Sequence, residues 1–380
     1  MRWSDRQVLV TGAAGFLGGH LVFRLLDAEQ RVTALARPSG ALSAAERLAQ
    51  VADRLGRRWP QPRLSVVEAD LEEPGWGLGG GEAEKVVRRA PEVVHAAARV
   101  DLSPHRPEAV MAANAESLDG WLPLLAAADA TFNLVSTAYV AGAGVAVALD
   151  RVPGERVPGT RRAVRNPYEE SKARAEEWVL RELPPRGVRY RILRPAIVVG
   201  EHGSGRTLSF HTVYTLLQLL DGLRRSAAGS GEPVPLRIAC DPAASLALVP
   251  VDYVSEATRV LLSRPATVGG VYHLAPPEPV GLAELGGWLG RAFAPLAPEP
   301  VEPSRFTAEP AGRLEALVDR ALAVYRPYLA CRTRFDDTAT RRALAGSGVS
   351  CPRWDEGWLG RLLDYGRETG WGRGGAAPCG

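Results

Sequence analysis

Of the 46 basic residues in this chain, only Lys85 and Lys172 are lysine; every other one is arginine. Lys172 stands four positions after Tyr168, in Asn166-Pro167-Tyr168-Glu169-Glu170-Ser171-Lys172. Arginine would supply the same charge, but as a planar fork that effectively never deprotonates; lysine is a compact point charge on a flexible stem. At helical spacing the two side chains share a face. Such a pair can set a phenol beside a cation that also holds a sugar hydroxyl. An ordinary surface pair on a helix has the same spacing, so the meaning rests on the surroundings.

Those surroundings include a glycine loop, Thr11-Gly12-Ala13-Ala14-Gly15-Phe16-Leu17-Gly18, between an apolar run and a helical pattern. Glycines in that context allow a tight turn, let backbone N–H groups approach a pyrophosphate, and let the helix pack close on the strand. The helix N-terminus adds a favourable dipole for an anion. The spacing is Gly-x-x-Gly-x-x-Gly. An NAD site of this type places an acidic residue about 20 residues further on. Here no Asp or Glu lies between Glu29 and Glu46, and Arg37 ends the second apolar run. Arg37 suits a 2′-phosphate, so the reading is NADPH over NADH. Asp70 and Leu71 follow the third run and are placed to meet an adenine. Ala96, Ala97 and Ala98 follow the fourth and are small enough for a cofactor to lie over them. His95 reads as a satisfied strand residue.

The elements that must hold these residues are legible as an alternation. Apolar runs at Gln7–Thr11, Arg31–Ala36, Leu64–Ala69, Glu92–Ala97, Phe132–Ser136 and Tyr190–Val199 are separated by helical patterns at His20–Ala28, Ser43–Leu55, Ala83–Ala90, Pro107–Ala128 and Glu169–Glu182. Strand–helix alternation predicts a parallel sheet covered on both faces: a Rossmann-type, doubly wound α/β fold over 1–200. A strand over 271–275 returns to it late. The remainder, 201–380, predicts a smaller, mostly helical substrate-binding part. Its helical patterns start near Ser255 and continue at Gly281–Phe293, Ala311–Leu329, Thr338–Leu344 and Trp354–Thr369.

Bulk properties narrow the class. The 380 residues are 46% hydrophobic and 23% charged, with a formal net charge of +3, which suits a globular fold and implies neither a nucleic-acid field nor a membrane-surface one. Cys240, Cys331, Cys351 and Cys379 have no Cys-x-x-Cys pairing and read as free thiols of a reducing compartment. The six histidines lack ligand spacing, so no metal is expected. The N-terminus has no leader-like apolar run. The weakly charged 131–149 breaks at Asn133, Ser136, Gly142 and Gly144, and fits two or three strand pieces better than a spanning helix. The expectation is a cytoplasmic protein with no integral membrane segment.

Taken together, the motifs resemble an extended short-chain dehydrogenase/reductase. They are most similar to the thioester-reductase and fatty acyl-CoA reductase branch with its male-sterility-type NAD(P)-binding domain. The segments are TGAAGFLG (11–18), ADLEEPGWGL (69–78), VVHAAARVD (93–101), NAESLDG (114–120), FNLVSTAYVAG (132–142), NPYEESKARAEEWV (166–179), ILRPAIVVG (192–200) and LVPVDYVSEA (248–257). Tyr325–Tyr328, Arg334–Thr338, Trp354 and Tyr365 resemble the piece that follows the reductase domain in fatty acyl-CoA reductases. The resemblance implies a Thr137/Tyr168/Lys172 site. Thr137 is preferred to Ser136 because the family's hydroxyl precedes the Ala-x-Val step, and only one of the two can face the pocket. It also implies that Asn114, Pro195, Ala196 and Ile197 line the cofactor, with Arg194 leading into that turn, and that Lys172 lowers the Tyr168 pKa from its reference of about 10. Two departures stand out: Asn114-Ala-Glu-Ser-Leu where the family usually reads Asn-Val-x-Gly-Thr, and a basic loop carrying Arg151, Arg156, Arg161, Arg162 and Arg165.

The implied reaction is NADPH-dependent reduction of an acyl thioester, on CoA or on an acyl carrier protein, to aldehyde or alcohol. The same scaffold also serves ketone or hydroxysteroid dehydrogenases, nucleotide-sugar epimerases, and non-catalytic NADPH-binding regulators. The arginine loop reads either as a grip for CoA phosphates or an acidic carrier face, or as a solvated loop. The uncharged Ser209–Leu220 reads either as an acyl-pocket wall or as core. Oligomeric state is open, a homodimer included.

Overall fold

The computed structural model describes residues 3, 6–142, 147–148, 164–227, 232–309 and 311–372. Seven strands carry the main sheet: β1 (Gln7–Thr11), β2 (Arg31–Ala36), β3 (Leu64–Glu68), β4 (Glu92–His95), β5 (Thr131–Val135), β6 (Arg189–Pro195) and β7 (Val271–Leu274). Their spatial order is β7-β6-β5-β4-β1-β2-β3, and every pair is parallel. That is the doubly wound order, with its reversal point between β1 and β4. Register brings Thr11 of β1 beside Leu35 of β2 and His95 of β4, and Val135 of β5 beside Leu193 of β6. The carboxyl ends of the central strands therefore open along one edge.

The helices preceding and between these strands are α1 (Phe16–Asp27), α2 (Ala44–Arg54), α3 (Glu82–Arg88), α4 (Pro107–Asn114) and α5 (Pro167–Glu182). Beyond β6 come α6 (Val213–Ser226), α7 (Val251–Ser263), α8 (Leu282–Ala292), α9 (Arg313–Ala321), α10 (Thr338–Leu344) and α11 (Glu356–Glu368). Two apolar clusters fill the faces. One joins α1 and α2 to α6, α7 and the C-terminal helices without a break at residue 200; the other lies between α3, α5 and the opposite sheet face. Among the described residues, no helix is long and apolar enough to cross a membrane.

Several sequence boundaries move for identifiable reasons. The run read as one strand to Val199 divides at Ala196, because Pro195 has no N–H to continue the ladder. Ala196 N–H bonds Leu274, and Ile197–Val199 pairs instead with Leu248–Pro250. The predicted helix Pro107–Ala128 ends at Asn114, whose side chain turns to bond neighbouring loop backbone. Short 3-10 and α turns continue to Ala126. The pattern Ala311–Leu329 likewise breaks after Ala321. Helix α1 begins earlier than its apolar period, at Phe16, with Gly15 as its cap.

One polar network crosses the sheet. Arg191 of β6 donates to Glu92 of β4 (3.0 Å), to Asn133 of β5 (2.9 Å) and to Thr267 (2.7 Å), and all four are buried. Burial raises the Glu92 pKa against the pull of Arg191.

Candidate active site

The glycine loop is held by contacts that only glycine permits. Gly12 has φ +63, and a Cβ there would lie 2.8 Å from the backbone of Ala97. A Cβ at Gly18 would run into the Gly12 carbonyl. Gly15 caps α1 without any side-chain hydrogen bond, and no acidic residue occupies the first turn. The first-turn amides at Phe16, Leu17 and Gly18 thus form an uncapped positive helix end. Thr11 Oγ1 accepts from Ala97 N–H (3.1 Å) and faces His95 Nδ1 at 3.2 Å. One hydroxyl therefore ties the loop after β4 (Ala96, Ala97, Ala98) across the glycine turn. The turn fits a dinucleotide pyrophosphate: it presents the free first-turn amides of α1, and Gly12 and Gly18 let its backbone close up against Ala97 and on itself.

His95 is a wall of this turn. Its Nδ1 shares a hydrogen bond with the Thr11 hydroxyl, its ring packs against Trp121 and Phe132, and its Nε2 is buried with no hydrogen-bond partner among the described residues. Burial, and then the Lys172 charge, push its pKa down to about 3, so it is neutral.

Arg37 leaves β2 largely exposed. Its guanidinium is 3.4 Å from Glu72, and its carbonyl accepts from Arg47 at 2.6 Å. Arg47 escaped the sequence reading; it lies one turn into α2, behind the capping box made by Ser43 and Glu46. The Asp70 carboxylate accepts from Glu72 N–H (3.0 Å) and shapes the turn, while Leu71 packs beside the apolar cluster.

Helix α5 starts where the local sequence dictates. Asn166 is the N-cap, its Oδ1 accepting from Glu169 N–H at 2.9 Å, and Pro167 takes the first helical position. This places Tyr168 in the first turn and Lys172 one turn on. Lys172 is buried, and its Nζ donates to the Val135 carbonyl at 2.8 Å, at the carboxyl end of β5. Two residues further, Thr137 Oγ1 accepts from Tyr139 N–H (3.3 Å) and makes no other hydrogen bond to a described residue, so its proton is free to donate. Ser136 is more deeply buried, with a hydroxyl that has no hydrogen-bond partner among the described residues. Asn114 bonds Arg99 through both its N–H (2.7 Å) and its carbonyl (2.9 Å), and donates to Ser171 Oγ at 2.9 Å. It thus fastens the loop after β4 to the helix that carries Tyr168. Pro195 and Ala196 are buried, and Ile197 is half-buried beside them.

Three expectations are corrected. Lys172 does not lower the Tyr168 pKa: burial and the Glu169 carboxylate raise it, while Lys172 spends its hydrogen bond on Val135. Desolvation instead brings Lys172 itself down to about 8. Arg165 is not part of an open basic loop. Its side chain is buried between the Tyr139 and Tyr328 rings and bonded to Glu169; Arg151, Arg156, Arg161 and Arg162 lie outside the described residues. Arg194 does not face the cleft, because its guanidinium pairs with Glu176 inside the protein (2.6 and 2.8 Å). As for Ser209–Leu220, Tyr214, Leu217 and Leu220 are core. Phe210, Thr215 and Leu219 instead line a cavity of about 1290 Å³ against the end of α2. None of Thr137, Tyr168 or Lys172 is in its wall.

Comparisons with known proteins agree with this architecture. The family model described as male sterility protein matches residues 10–258. The isonitrile lipopeptide synthase of Streptomyces coeruleorubidus is 28% identical over 96% of this chain and 24% of its own length. The L-2-aminoadipate reductase large subunit of Penicillium chrysogenum is 30% identical over 58% of the chain and 16% of its own length. The chain spans about a quarter to a third of the first curated relatives it matches. Among solved structures, the terminal R domain from the myxalamid PKS-NRPS biosynthetic pathway superposes with TM-score 0.78 and 26% identity, covering 97% of this chain and 92% of that one. UDP-glucuronic acid 4-epimerase from Bacillus cereus, at TM-score 0.66 and 16% identity over 96% and 97% of the two chains, shares the fold.

Proposed function

The chain belongs to the male sterility protein family of NAD(P)-binding oxidoreductase domains, and on that premise we propose that it is an NADPH-dependent reductase of acyl thioesters. The observation that carries the reading is a buried Lys172, one helical turn after Tyr168, anchored to the carbonyl of Val135, two residues before Thr137. The near-complete match to a terminal R domain supports it, as does likeness to a thiolation-reductase di-domain of an archaeal non-ribosomal peptide synthetase (TM-score 0.71, 18% identity). The acyl group arrives as a thioester on CoA or, as that di-domain suggests, on a carrier protein.

Ala96, Ala97 and Ala98 would hold the nicotinamide cofactor, which would supply the hydride. The protein's part begins with Thr137 and Tyr168 donating hydrogen bonds to the thioester oxygen as it becomes negative. Tyr168 is fit to donate because burial and Glu169 keep its phenol protonated at neutral pH. The Lys172 ammonium, one turn further along α5 and held by Val135, would offset the growing negative charge. With a pKa of about 8, it also gains and loses a proton near working pH. Proton transfer from Tyr168 gives a neutral hemithioacetal. Collapse of that species breaks its C–S bond, re-forms the carbonyl and releases a thiol and an aldehyde; a second hydride gives the alcohol. Arg37 and Arg47, near the adenosine end, favour the 2′-phosphate of NADPH.

The test follows NADPH oxidation and free thiol together, with acyl-CoAs and acyl-carrier proteins as substrates. Matched thiol release, reduced about 100-fold or more by Tyr168→Phe with unchanged NADPH affinity, is expected. NADPH loss on ketones without thiol would refute the thioester assignment.

A further inference from the structure

Helix α5 is gripped from behind at two points, and both grips come from one stretch near the C-terminus. At its N-terminus, Asn166 Nδ2 donates to the Tyr328 hydroxyl at 2.7 Å, while Asn166 Oδ1 caps the helix. Glu169, one residue after Tyr168, is fully buried. It accepts from the Arg165 backbone N–H (3.0 Å) and guanidinium (3.4 Å), and the Tyr328 hydroxyl also meets it. The Arg165 guanidinium lies 5.5 Å from the Tyr139 ring centre and 5.7 Å from that of Tyr328, and donates to Cys331 Sγ at 3.3 Å. Tyr139 stands edge-on to both Tyr328 (5.1 Å) and Phe335 (5.0 Å), and its N–H is the donor that Thr137 accepts.

At the second point, Glu176 takes both arms of Arg194. Arg194 Nη1 meets His273 Nε2 at 3.4 Å, and His273 Nδ1–H donates to the Asp336 carbonyl at 2.8 Å. Asn166 and Glu176 are ten residues apart, about 15 Å of helix, and Tyr168 and Lys172 lie between them.

Apolar side chains would pack this interface more simply. Buried ion pairs add little net stability but fix relative geometry, because each lost partner leaves an uncompensated charge. We infer that the segment Tyr328–Asp336 is a clamp that sets the position of α5 against β5, with Tyr328 as a positioning residue for Tyr168, Lys172 and Thr137. The inference deepens the thioester-reductase reading, and its activity arm rests on it.

Tyr328→Phe keeps the ring and removes the hydroxyl that Asn166 donates to; Tyr325→Phe, one turn before the segment, whose hydroxyl makes no hydrogen bond among the described residues, is the control. In the full chain, Tyr328→Phe is expected to lower kcat about tenfold, the scale of a small misplacement of reacting groups. KM for the thioester and Kd for NADPH should stay within about twofold. Amide hydrogen exchange at 168–172 should quicken while the β1–β4 core is unchanged, and Tyr325→Phe should quicken neither. The exchange arm needs no substrate. If the wild type reduces no thioester, the thioester reading fails, and local exchange still decides the clamp. Exchange that rises evenly over the chain or not at all, or a kcat unchanged despite local loosening, overturns the inference.

Discussion

Lys172→Met should abolish activity and yet make the free protein more stable at neutral pH. Lys172 is 2% exposed, and desolvation is the leading cause that takes its pKa from 10.5 to about 8. That difference corresponds to about 3 kcal/mol of disfavour for the charged form in the folded state. Methionine fills a similar volume without the charge. It forfeits the bond to the Val135 carbonyl, worth about 1 kcal/mol net. The balance leaves the variant about 2 kcal/mol more stable at pH 7, a rise in Tm of a few degrees for a chain of this length. The pH dependence fixes the cause. Between pH 8 and 10.5 the unfolded chain keeps a proton that the folded protein has released. The unfolded state then binds more protons, and wild-type stability climbs with pH. The wild type should therefore gain on the variant through that window, by about 3 kcal/mol in all. Urea unfolding of both proteins at fixed pH values from 7 to 10.5, compared as a difference, reads this directly. A variant less stable at pH 7, or a difference that does not move with pH, would refute the claim that Lys172 is held at the site against its own solvation.

Gly12→Ala would place a Cβ 2.8 Å from the Ala97 backbone at φ +63. The loop must shift, and titration by fluorescence should show NADPH affinity at least tenfold weaker, with the sheet intact by circular dichroism. Arg37→Ala should weaken NADPH by about 10- to 100-fold, the worth of a charge-assisted bond, and leave NADH alone; equal losses would remove the 2′-phosphate assignment. Arg191→Met strands the buried Glu92 carboxylate beside Asn133, and should cost about 3–5 kcal/mol in denaturant unfolding.

The parts legible in the sequence were those whose cause is local. The glycine loop was readable because a tight strand-to-helix turn demands glycine at Gly12 and Gly18 whatever lies elsewhere. The cap at Asn166-Pro167 was present in the same seven residues as Tyr168 and Lys172, and would have located the first turn of α5 outright. The breaks at Asn114 and Ala196 were less visible. The first depends on Arg99 and Ser171, the second on which neighbour takes the backbone after Pro195. The reading of Arg165 as one of a basic series failed because composition counts charges, whereas burial between Tyr139 and Tyr328 is decided by a segment more than 150 positions away.

By itself the sequence determined the alternation of strands and helices, the cradle for a dinucleotide, and the presence of a phenol and an amine one helical turn apart, since each follows from spacing along a few consecutive residues. The tertiary structure decided what those groups are. It raises the Tyr168 pKa through burial and Glu169, brings Lys172 to about 8, and aims its ammonium at Val135. It also turns Arg165, Arg194 and Tyr328 inward as the backing of α5. Solvation and partners set a side chain's chemistry, and both are supplied by residues far apart in the chain that only folding brings within a few ångströms.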